Sequence, residues 1–290
     1  MERRPMIARA EELRDSQKAA LITLLGDEDA AVYQAVRARI LACGPVAGRW
    51  LQPHALSSDP LLRRRAQELI RHFERQTADE AFLAFCLRAG QHFNVEEGVW
   101  LLARTQYPDI NVEAYQALLD SFAGELRERL ALVKRPNQIL ATVSDYLFDE
   151  LSFRGNERDY YDPENSYLNR VLDRRTGNPI SLCLLYLLLA RRLNLPVVGI
   201  GLPGHFICRY QSIAAEIYID VFHRGRQLAK ADCLLHLMRG KYDLADDHLT
   251  PATARRIFQR ICRNLHQIYV QMEATEEAKR VQRYLVALGN

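Results

Sequence analysis

Four side chains in the second half of the chain have the types that acyl-transfer chemistry requires: His205, Asp220, Ser181 and Cys183. His205 lies in "GLPGHFICRY" and Asp220 in "AEIYIDVF", two β-branched and aromatic runs bounded by Gly and Pro that read as strands. Joined as an antiparallel hairpin through the loop "QSIA" (211–214), they set His205 opposite Asp220, Arg209 opposite Glu216 and Cys208 opposite Ile217. Alternation then gathers Phe206, Cys208, Ile217, Ile219 and Val221 on one face, and His205, Asp220, Arg209 and Glu216 on the other. A carboxylate beside an imidazole fixes its tautomer and stabilises the imidazolium, which is two thirds of a nucleophile–His–Asp arrangement. The same pair can instead be a polar contact closing one side of a sheet. A third member would have to stand at the start of a facing helix, where the dipole lowers a thiol pKa. The helix "NPISLCLLYLLLARRLN" begins with Asn178 as N-cap and Pro179 at the first helical position. Ser181 lies in its first turn; Cys183, further in, also reads as an ordinary core cysteine.

The elements that must position these groups follow from texture. That helix is apolar almost all round, so it is expected to be central and buried. "PVVGIG" reads as a third strand. Before the helix, "FRGNERDYYDPENSYLNRVLDRRTGNP" is polar and Gly-rich, and is expected to form a structured loop with a turn or two of helix around 166–172. Its Arg154, Asn156, Asn165, Ser166, Asn169 and Arg174 are candidate groove or ligand-binding residues, with Arg170 and Arg175 adding positive charge suited to an anion. The same side chains can simply tie the loop's own backbone together. Tyr160 and Tyr161 are read as loop anchors.

Up to residue 133 the chain reads as successive helices. "DAAVYQAVRARILACG" and "DPLLRRRAQELIRHF" lie thirty residues apart. They place Val32, Val36 and Ile40, then Leu62, Ala66 and Ile70, on matching stripes behind Asp29 and Asp59 as caps. They resemble HEAT-type repeats, in which each helix pair buries its stripe against a neighbour. The "RRR" at 63–65 reads as solvated surface. The tail, "PATARRIFQRICRNLHQIYVQMEATEEAKRVQRYLVALG", reads as two amphipathic helices joined near Ala274, in spacing like one tetratricopeptide hairpin. The expected domains are 1–133, 134–245 and 246–290.

Composition narrows the classes. The chain has 290 residues, net charge +3, 48% hydrophobic and 26% charged residues, as in globular proteins. With so small a net charge and no basic stripe interleaved with aromatics, no nucleic-acid partner is expected. No apolar run reaches the roughly eighteen residues of a membrane span, and the N-terminus has no apolar signal core. Six cysteines among apolar neighbours, none in a C-x-x-C pair, point to reduced thiols and a cytoplasmic location. No zinc-ligand spacing is present, so neither a metal nor a cofactor is expected.

The run from "FRGNERDYYDPENSYLN" through "DRRTGNPISL" to "GLPGHF" resembles the SirB-type transglutaminase-like proteins of bacteria, closely over about 148–222 and loosely beyond. The resemblance implies an α+β fold with a papain/transglutaminase-like core, a buried helix on an antiparallel sheet, here between helical-repeat-like N-terminal and C-terminal segments. It implies that catalytic relatives use a cysteine at the helix start, with His205 and Asp220 matching their histidine and aspartate. The matching thiol position falls near Pro179, so the cysteine nucleophile is missing, which speaks against an enzyme. The expected function is therefore non-catalytic protein binding or regulation. The alternative is an amide-bond hydrolase or acyl-transferase using Ser181 or Cys183 with His205 and Asp220. The partner is expected to be another protein; oligomeric state stays open.

Overall fold

A two-residue turn organises the sheet. Pro203 and Gly204 link Leu202 to His205, and Gly204 has φ +71°, a left-handed conformation that glycine adopts without strain. That is the physical content of the "GLPGHF" stretch. The computed structural model describes residues 13–88, 94–213, 215–240 and 246–289; Ala89, Gly90, Ala214 and most of the N-terminal stretch read above for a signal core lie outside the described residues.

The chain divides into two compact units, Met1–Glu80 with Thr105–Asp109, and Ala81–Arg104 with Ile110–Asn290. The first holds α1 (Asp15–Leu25), α2 (Ala30–Ala42), the short α3 (Gly48–Leu51) and most of α4 (Pro60–Arg88). Asp29 and Asp59 cap as expected, accepting from Ala31 N at 2.7 Å and from Leu61 N at 2.8 Å. The two predicted stripes meet in one core with Leu25, Leu51 and Phe73. Arg65 departs from the expected solvated surface. It is buried, stacks 4.0 Å over the Tyr33 ring and donates to the carbonyls of Leu25 and Asp27 at the end of α1. It thereby satisfies acceptors that a helix C-terminus leaves open.

The second unit contains α5 (Val95–Gln106) up to Arg104, α6 (Val112–Leu130) and α7 (Pro136–Ser144), which runs into a π-helical turn at Asp145–Glu150. The polar loop follows. Its ends are tied by a short parallel pair, β1 (Arg154–Gly155) with β2 (Thr176–Gly177), and it carries α8 (Leu168–Arg174). Then come α9 (Pro179–Arg192), β3 (Val197–Leu202), β4 (His205–Gln211), β5 (Glu216–Asp220), β6 (Arg226–Leu228), α10 (Lys230–Arg239), α11 (Ala254–Gln271) and α12 (Thr275–Gly289). The chain is thus helix-rich with small sheets. Strands β3 to β6 form one antiparallel sheet in sequence order, and α9, buried along most of its length, packs against β3 and β4. The expected boundaries at 133/134 and 245/246 both fall inside this second unit: α6 packs on α9, and buried Tyr269 of α11 hydrogen-bonds Tyr167 of the loop at 2.9 Å.

One expectation about the sheet needs correction. The β4–β5 register is two residues away from the one expected: Cys208 faces Ile219, Arg209 faces Tyr218 and Gln211 faces Glu216. Ladder pairing continues closer to the turn, where Ser212 N donates to Ala215 O at 2.9 Å. A slip of two residues, unlike a slip of one, leaves every side chain on its face, so the expected cross-strand pairs survive as diagonals. The face bearing His205 and Arg209 is covered. Ile200, Leu202, Ile207 and Tyr218 lie on it in a core with Cys233 and Leu237 of α10 and Leu249. Neither α10 nor the three-residue β6 is among the predicted elements.

Candidate functional site

His205 begins β4 and Asp220 ends β5. His205 Nε2 donates to Asp220 Oδ1 at 2.9 Å, and both side chains are largely shielded from solvent. Sequence reasoning missed a third member. The chain turns sharply after Asp220, and His223 Nδ1 donates to the second carboxylate oxygen at 2.8 Å while its backbone N–H reaches Oδ1 at 3.3 Å. Gly225 N closes the turn on Asp220 O at 2.9 Å. Gly225 has φ +71°, and a Cβ there would lie 2.1 Å from Ser144 Oγ, so only glycine fits. The available signal was local: a histidine three residues beyond a strand-ending Asp, just ahead of Arg-Gly. Phe222 packs edge-on against both imidazoles, and a Cβ on Gly155 would come within 2.7 Å of its ring. Burial pushes the Asp220 carboxyl up, but the His205 and His223 imidazoles outweigh it and hold the group below the usual carboxylate range.

The helix start facing this cluster is differently arranged. Asn178 caps α9 and Pro179 opens it, as expected. Asn178 Oδ1 accepts from Ser181 N at 3.0 Å, and Ser181 Oγ accepts from Asn178 N at 3.1 Å, a reciprocal capping box. The Ser181 hydroxyl also donates to Asn178 O at 3.1 Å and is buried. Cys183, one turn in, is fully buried and donates to Phe206 O at 3.4 Å; burial holds its thiol well above the ordinary range, next to Cys208. The structure therefore brings His205 and Asp220 together and adds His223, while the hydrogen bonds of Ser181 and Cys183 go elsewhere. The predicted Arg209–Glu216 pair is formed at 3.2 Å, with Arg209 also donating to Leu249 O.

The loop residues separate into two sets. Asn165, Ser166 and Asn169 are buried inside the loop. Asn156 Nδ2 donates to Asn165 Oδ1 at 2.9 Å, Asn165 donates to Asp159 O at 2.8 Å, and Asn178 Nδ2 reaches Ser166 Oγ at 2.9 Å. Arg170 pairs with Glu164 and Asp173, and Arg174 with Asp162 and Glu164. Arg175 stacks over Phe153 and Phe122. Of the candidate groove residues, Arg154, Asn156 and Arg174 line a surface groove of about 820 Å³, together with Arg158, Phe222 and His223. Arg154 and Arg158 form no ion pair among the described residues.

A buried helix on an antiparallel sheet, with His and Asp on adjacent strands, is accompanied by a match of residues 113–263, just over half of the chain, to the transglutaminase-like superfamily. The chain belongs to that superfamily. Among individual proteins it is 38% identical over 187 residues to a UPF0162 protein of Xylella fastidiosa; the match covers 62% of this chain and 66% of that protein, just under two thirds. A UPF0162 protein of Pseudomonas aeruginosa is 31% identical over 197 residues, covering 64% of this chain and 70% of the relative. Human F-box only protein 21 is 36% identical over 146 residues, which span 46% of this chain and 22% of that protein. No solved structure matches the chain significantly. Among the described residues no helix is long and apolar enough to cross a membrane.

Proposed function

We propose that the chain is a transglutaminase-like module that binds another protein and performs no acyl transfer. The observation carrying this reading is the start of α9: Pro179 stands where a thiol would be needed, the Ser181 hydroxyl is closed into a capping box, and Cys183 is buried as a neutral thiol. Binding is supported by the groove beside His223. Arg154 and Arg158 lie on its wall without carboxylate partners among the described residues, and Tyr160, which packs on Phe222, leads to the exposed Tyr161. Arg and Tyr are the side chains that dominate protein interfaces. The partner segment this wall suits carries carboxylates. The same core occupies only 22% of human F-box only protein 21, in keeping with a module used within larger proteins. Within the superfamily we place the chain in the SirB type on its loop and "GLPGHF" motifs, and its six free thiols suit a reducing cytoplasm.

The amide-hydrolase reading keeps one observation, the formed His205–Asp220 pair. Treatment of the full chain with fluorophosphonate and peptide-amide electrophilic probes separates the two. The expected result is no covalent adduct at Ser181 or Cys183. An adduct at either that disappears in His205→Ala overturns the binding reading. In parallel, a fluorescent acidic peptide library should bind the wild type and His205→Ala alike, and lose binding in the Arg154→Glu/Arg158→Glu double variant.

A further inference from the structure

We propose that His205, Asp220 and His223 form a binding site for a divalent transition-metal ion of the zinc class. One ligand atom from each, two imidazole nitrogens and a carboxylate oxygen, lie within 4.8 Å of one another. Asp220 stands between the rings, one oxygen 2.9 Å from His205 Nε2 and the other 2.8 Å from His223 Nδ1. Ligand atoms bound tetrahedrally to zinc at about 2.0–2.1 Å are about 3.3 Å apart, so small side-chain rotations bring the three onto one ion. Each neutral imidazole then carries its proton on the nitrogen facing away from the metal and presents a lone pair toward it.

The scaffold holds these groups before any ion arrives. His205 follows the Pro203–Gly204 turn, Asp220 ends a paired strand, and His223 sits in a turn tied back to Asp220 by its own N–H and by Gly225 N. Preorganised ligands lose little conformational entropy on binding. The donor set selects the metal. Two nitrogens and one oxygen suit zinc, cobalt, nickel or ferrous iron, whereas calcium takes six to eight oxygens and magnesium prefers octahedral oxygen. Three protein ligands leave a coordination position open. His223, with 55% of its side chain exposed, lines the arginine-walled groove and gives ions a way in. His236 is near, its ring centroid 6.1 Å from that of His205, but its Nε2 donates to Pro203 O and it lies outside the ligand cluster. The inference does not depend on the groove having a protein partner, because metal uptake is read on the chain alone.

The test is titration of the full-length, chelator-treated protein with Zn²⁺ by calorimetry and with Co²⁺ by visible absorption. The expected result is one ion per chain, with Co²⁺ showing weak d–d bands and no thiolate-to-metal charge transfer. His223→Ala, at an exposed position that leaves the core untouched, should weaken affinity at least 100-fold. Asp220→Asn should weaken it too, and His236→Ala should not. No stoichiometric uptake, uptake that survives His223→Ala, or a thiolate band showing that the free cysteines hold the ion each overturns the proposal.

Discussion

Ser181 and Asp220 both sit at the end of a buried regular element, and each has polar partners close by, yet their surroundings make opposite uses of them. At the start of α9 the Ser181 hydroxyl and N–H both bond Asn178, three residues away, and Asn178 in turn ties the cap to Ser166 of the loop. At the end of β5 the Asp220 carboxylate reaches outward to two imidazoles, one fifteen residues back in sequence and one three ahead, with a groove beside the second. A capping box stabilises a helix and ties up the hydroxyl proton and one of its lone pairs. The carboxylate shared by two histidines is held ionised though shielded, with only His223 beside it exposed. The serine at the start of α9 serves its helix cap, while the end of β5 gathers three polar side chains beside a groove.

The largest effect should come from breaking the strand end. Asp220→Ala removes the acceptor for both imidazoles in a shielded position and should lower unfolding stability by roughly 2–3 kcal/mol, read as a shifted urea midpoint. A loss below about 0.5 kcal/mol would mean that the triplet is solvated and the contrast with Ser181 is overstated. Breaking the helix end should cost less. Asn178→Ala should lose about 1 kcal/mol in thermal unfolding, with Ser181→Ala comparable and the double variant clearly less than additive, because both act in one capping box. Additive losses would show that Ser181 has a second role.

A third carboxyl sharpens the comparison at the small end. Glu74 is pushed up to about 7, by burial first and then by the neighbouring Asp109, the reverse of Asp220. The folded state then holds a proton that the unfolded chain releases near the ordinary value of 4.5. Its contribution is greatest below 4.5 and is lost as pH rises through 7. Glu74→Gln should flatten that slope in urea midpoints measured from pH 4.5 to 8, by under about 1 kcal/mol given solvent screening. An unchanged slope removes Glu74 as its source.

Much of this was legible in the residues. The apolar run of α9 with Asn178 and Pro179 ahead of it, and the alternation in β4 and β5, depend on local rules, and those rules held. Because strand periodicity is two, even a register displaced by two residues kept His205, Asp220, Arg209 and Glu216 on the correct face. Arg65 shows where that legibility ends: in a run of three arginines nothing local tells which guanidinium will reach carbonyls forty residues away. Likewise β6 is too short to show a pattern, and α10 has no meaning as a lid on the sheet until the sheet exists.

By itself the sequence determined that α9 is a buried helix and that β4 and β5 are strands, and that the first turn of α9 has no thiol. Both follow from side-chain type and spacing within a few residues. Only the tertiary structure decided that Cys183 is sealed against β4 and that His223 swings back to share Asp220 with His205. Those outcomes depend on distances between atoms far apart along the chain or on the sense of a turn, and a linear pattern of residue types carries neither.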